Sequence, residues 1–214
     1  MNDHSKEQIQ KVKKIVIKGQ VNRFHDTYKS YFEKEETLAL VTFFFDKVYN
    51  TEAKSEWVDL AVTSFDKIKN IMKDETRESM EKLLELNSLT DELDSKMAIS
   101  LLARGWKKDS LSKEEFLAEF IGMGQAADRY RQLEIVLINL VQFYELAHRP
   151  INAILIKPAK FMSKILGFAS LFSAIEEGYN ACLPVNRELF NSFYAEVKKT
   201  EYEFLAKCFP DYKP

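Results

Sequence analysis

Cysteine, glycine and proline are all scarce in this chain, and each shortage removes a class of structure. Two cysteines, Cys182 and Cys208, cannot build a disulfide framework in 214 residues, and their spacing is not that of a zinc site. The expectation is a pair of reduced thiols in a cytoplasmic protein. Six glycines and five prolines are too few for the many tight turns of a sheet-rich fold. Long apolar runs are missing as well. The longest uncharged stretches, Ile135 to Tyr144 and Ile165 to Ile175, fall well short of the roughly 20 residues that cross a bilayer. The polar opening MNDHSKEQIQKVKK lacks the apolar stretch of a secretory leader. A net charge of −2 gives no basis for nucleic-acid binding by the whole surface, and no nucleic-acid partner is expected.

What is present is helical periodicity, with no alternation of the strand kind and no repeat. Val12, Ile15 and Val16, then Val21, Phe24, Tyr28 and Tyr31 or Phe32, trace a long amphipathic helix whose first residues, 1–8, are expected to be loosely ordered. Leu38, Val41, Phe44 or Phe45 and Val48 mark a second helix, and Val58, Ala61, Phe65, Ile68 and Met72 a third. Met80, Leu83 and Leu84 follow. Asn87 to Thr90 should then interrupt the chain, with Thr90 as N-cap of a helix through Leu93, Met97 and Leu101. Gly105 to Ser110 reads as a loop. Ser112 and Glu115 have the capping-box spacing ahead of Phe116, Phe120 and Met123. Asp128 to His148 is apolar almost all round between Leu133 and Tyr144, the pattern of a buried central helix, with Leu137, Leu140 and Val141 in the core. Pro150 and Pro158 break or restart helices, Gly167 and Gly178 punctuate, and Pro184 opens a last helix that stops at Pro210. The fold class is all-α: a single bundle-like domain over residues 1–214, with about eight or nine helices.

Three stretches carry a family resemblance. FFFDKVY at Phe43 to Tyr49 and LNSLTDELDSKMA at Leu86 to Ala98 contain the patterns F-F-x-x-x-[LV]-Y and L-N-x-L-[ST]-x-E-L-D. Lys157 to Tyr179, KPAKFMSKILGFASLFSAIEEGY, has a similar Pro-Ala…Gly-Leu…Glu-Gly-[FY] layout. The chain thus resembles a family of uncharacterised bacterial all-α proteins, departing from it at Thr51-Glu52, where relatives carry Gly-Pro. The resemblance implies the fold and no activity, cofactor or catalytic residue.

Several residue groups invite a chemical reading. Glu145 and His148 form a Glu-x-x-His pair on one helix face, a half-site in di-iron bundles, but neither His4 nor His25 supplies the second pair. The same pair suits the polar C-terminal end of a helix, where an imidazolium meets the dipole. Arg131, Glu134, Gln142, Glu145 and Arg149 fall in one sector of the helical wheel, and a metal- or small-ligand-dependent enzyme could use the interior polar residues Arg131, Glu134, Gln142, Glu145 and His148. Buried charges need partners, and Arg131 with Glu134 and Glu145 with Arg149 have the spacing for local pairing. His25-Asp26 resembles the ligand dipeptide of all-helical phosphohydrolases, yet only His4 lies upstream, so a surface dipeptide is the simpler account. Arg104, Lys107 and Lys108 surround Trp106, a basic-aromatic cluster flanked by acids at a helix end. No metal or cofactor is expected.

The segment with the most unusual composition is Leu146 to Ile175, which contains no acidic residue. Its charges are Arg149, Lys157, Lys160 and Lys164 in an apolar background. On a continuous helix the three lysines form one narrow stripe opposite Leu155, Met162 and Leu166. Two layouts fit: an interfacial amphipathic helix, or a core helix whose lysine stems snorkel to water. The sequence-based expectation is a non-enzymatic helical module that docks a protein partner or an anionic membrane surface through residues 149–164.

Overall fold

The computed structural model describes residues 5–47, 74–149 and 169–214. The helix expected between Ser55 and Met72, the breaks at Pro150 and Pro158, and Lys157, Lys160 and Lys164 lie outside the described residues. Every element among them is helical: eight α-helices and one π-helical turn.

Helix α1 runs from Lys6 to Thr27. It starts within the stretch expected to be loose, because Ser5 and Gln8 form a capping box there. The Gln8 N–H donates to the Ser5 hydroxyl at 3.2 Å, and the Ser5 N–H donates to the Gln8 side chain at 3.0 Å. The long first helix of the sequence reading breaks at Tyr28, whose backbone leaves the helical region at φ −109° and ψ 25°. Short helices α2 (Lys29–Phe32) and α3 (Glu35–Val41) follow, and the chain then widens into the π-turn Thr42–Lys47. That turn aims three consecutive phenylalanines at different neighbours. Phe43 packs on Gly178, Phe44 meets Phe143 edge-on at 5.8 Å, and Phe45 stacks between Phe24 and Tyr28 at 4.6 and 5.0 Å.

Helix α4 is continuous from Asp74 to Ala103, so the interruption at Asn87 to Thr90 does not occur. Those residues include no glycine or proline. Thr90 is buried, and its hydroxyl accepts a hydrogen bond from Gln132 Nε2 at 2.8 Å instead of capping a helix. The end of α4 is set by Gly105 at φ +78°. The Trp106 N–H reaches back to the Leu101 carbonyl and the Gly105 N–H to Leu102, a Schellman closure that needs a residue tolerant of the left-handed region. Helix α5 (Lys113–Gly122) opens with the expected Ser112–Glu115 box.

Helix α6 (Ala126–Ala147) occupies the middle of the assembly, against α4 and two later helices, α7 (Ala169–Cys182) and α8 (Arg187–Cys208). Tyr130, Leu133, Leu137, Leu140 and Tyr144 are buried, as expected for a central helix, whereas Val141 is half-buried. Burial is not all round, however: Arg131, Glu134 and Ile138 stand exposed along one stripe. Gly178 does not interrupt α7. A Cβ there would meet Phe43 Cζ at 2.6 Å and Phe143 Cε1 at 3.2 Å, so the glycine admits two aromatic rings against the helix backbone. Helix α8 is capped by Asn186, which accepts from the Leu189 N–H at 2.9 Å, two residues beyond the start expected at Pro184. Helix α1 lies mainly along α4, with Val12 and Val16 in one core cluster with Met97 and Leu101.

Candidate functional site

Of the predicted docking residues, Arg149 is the one within the described residues. It stands exposed immediately beyond α6, and Leu146, one turn earlier, is 40 % exposed. The other member of that end is the α7–α8 connection. The Tyr144 hydroxyl donates to the Val185 carbonyl at 3.1 Å, and the exposed Leu183 lies two residues from that anchor.

Arg131, Glu134 and Arg149 of the α6 polar sector stand exposed and Glu145 is half-buried, which corrects the interior stripe read from the sequence; Gln142 alone keeps its side-chain oxygen buried, without a hydrogen-bond partner. Spacing tells which residues share a face, but the apolar residues of α6 are numerous enough to bury the opposite side. The Arg131 guanidinium donates to Glu85 of α4, at 2.7 and 2.9 Å, and not to Glu134. Glu145 is held by Arg187 of α8, with Arg149 adding a smaller attraction. The hydrogen bond from Arg187 keeps the Glu145 carboxyl below the usual carboxylate range. His148 is exposed; its Nδ1 lies 3.0 Å from the Tyr144 carbonyl and its ring rests on the Tyr144 ring. Glu145 and His148 therefore take different hydrogen-bond partners, Arg187 for the one and the Tyr144 carbonyl for the other.

The His25-Asp26 dipeptide is divided in the same way. His25 Nε2 lies 2.6 Å from Asp46 in the π-turn, with its ring stacked on Phe32, while Asp26 pairs with Lys113 of α5 at 3.6 Å. Among the described residues, no three His, Cys, Asp or Glu side chains gather closely enough to hold a metal ion. Around Trp106, Lys108 pairs with Glu115 at 2.5 Å and Arg104 pairs with the buried Glu119. Lys107 stays exposed. Two of the three cations in that cluster are thus neutralised within the fold. Both cysteines are buried free thiols, and burial pushes the Cys182 thiol up to about 12.

Sequence reasoning missed a buried polar cluster that joins the first and last helices. Arg23 grips Glu201 through both terminal nitrogens, at 3.0 and 2.7 Å. Its Nε donates to Gln20 at 3.3 Å, and its guanidinium lies over the rings of Phe204 and Phe24 at 4.2 and 4.6 Å. Tyr28 donates its hydroxyl proton to Glu201 at 2.7 Å. Burial, and next the nearby Glu201 carboxylate, raise the Tyr28 hydroxyl pKa far above its ordinary value. These groups hydrogen-bond to one another, so the cluster clamps α1 to α8. A signal for it did exist: Arg23 interrupts the apolar stripe of α1, and Glu201 falls between Val197 and Leu205 in that of α8. Beside the cluster, a groove of about 580 Å³ runs between α1, α5 and α8, lined by Asp26, Lys113, Phe116, Glu203, Phe204 and Lys207 among others.

These elements define an all-α domain held together by aromatic packing and cross-helix ion pairs. The sequence motifs fall on that framework: Phe43 and Phe45, Leu86, Thr90, Leu93 and Asp94, and Tyr179 are buried. Over residues 1–213 the chain matches the family described as a domain of unknown function (DUF8198), and it belongs to that family. No curated protein and no solved structure matches the chain. Among the described residues, no helix is long and apolar enough to cross a membrane.

Proposed function

We propose that this domain is a non-enzymatic binding module of the bacterial cytoplasm, docking on an acidic surface, of a protein partner or of an anionic membrane, through residues 149–164. The observation that carries the reading is composition: from Leu146 to Ile175 the chain has Arg149, Lys157, Lys160 and Lys164 and no acid. The exposed Leu146 and Arg149 at the exit of α6 extend the same basic-apolar character into the described residues.

The test uses vesicles rich in phosphatidylserine and, separately, poly-glutamate as an acidic protein surface. Attraction of about 1 kcal/mol per lysine makes the three lysines worth roughly a hundredfold in affinity at low salt. Binding should fade toward about 150 mM salt, where the Debye length is about 8 Å. Changing Lys157, Lys160 and Lys164 together to Gln should abolish binding and leave the melting temperature nearly unchanged. Wild type that ignores both probes at low salt refutes the proposal. A triple variant that unfolds refutes it too, since the lysine stems would then be covering the core.

A further inference from the structure

We draw no further inference here: the strongest candidate, the groove between α1, α5 and α8 beside Arg23 and Phe204, has its Arg23 and Lys113 cations already engaged by Glu201 and Asp26, and nothing in the structure shows what covers it.

Discussion

Replacing Glu201 by Ala should be among the most damaging single changes in this protein. The Arg23 and Glu201 side chains are 9 % and 11 % exposed, so little solvent screens the pair. Removing the carboxylate strips the guanidinium of its two shortest hydrogen bonds and leaves the Tyr28 hydroxyl without its acceptor. Breaking one partner out of a buried ion pair costs about 3–5 kcal/mol, because the other charge stays behind uncompensated. The rings of Phe24 and Phe204 face the guanidinium before and after the change, so they add no new interaction to offset that cost. A loss of about 3–5 kcal/mol is therefore expected, against a total of about 5–15 kcal/mol for a typical domain. Urea titration followed by circular dichroism measures it. The companion variant changes Arg23→Met, Tyr28→Phe and Glu201→Leu together. It removes the charges and the stranded hydroxyl at once, so its stability should return close to wild type or exceed it. If Glu201→Ala costs less than about 1 kcal/mol, or if the triple variant is as unstable as the single one, the cluster does not clamp α1 to α8 as described.

Other consequences are simpler to check. Ser88→Pro should destabilise by about 3 kcal/mol or more, since Ser88 is exposed within an unbroken α4 and the loss would come from the backbone alone; tolerance in a melting experiment would restore the break at Asn87 to Thr90. Leu140→Ala should cost about 2–5 kcal/mol by chemical denaturation, and a loss under about 0.5 kcal/mol would remove α6 from the centre. Cys182, with a pKa raised to about 12 by burial, is almost wholly protonated near neutral pH. Thiol-specific reagents at about pH 8 should therefore modify it far more slowly in the native protein than after unfolding. Equal labelling rates in the two states would contradict its burial.

The helices with strong local signals were legible in the sequence. The Ser112–Glu115 box and the start of the Gly105 loop stand where spacing and caps indicate, and α6 begins within two residues of the expected start. What escaped depends on partners far away in the chain. Asn87 to Thr90 looked like a boundary because Asn, Ser and Thr favour caps, but that preference is small and the Gln132–Thr90 contact of the folded state overrides it. The π-turn could not be read from Phe43, Phe44 and Phe45, since three adjacent apolar residues fit any helical period. The direction of the α6 polar sector was hidden for a related reason. Glu85 and Arg187, which draw Arg131 and Glu145 outward, lie on separate helices that no local spacing connects to them. The acid-free stretch from Leu146 to Ile175 is a signal of composition alone, and docking there is the proposal made above.

The clamp between Arg23 and Glu201 also bears on how the protein is made. Its two residues are 178 positions apart in sequence. At a synthesis rate of about 5–20 residues per second, α1 leaves the ribosome on the order of 10–35 s before its partner helix is complete. During that interval the Arg23 guanidinium stays in water, since burying it before Glu201 arrives would leave its charge uncompensated. A chain that ended before Glu201 would lack the acceptor that both Arg23 and Tyr28 use, and α1 would have no clamp to close on.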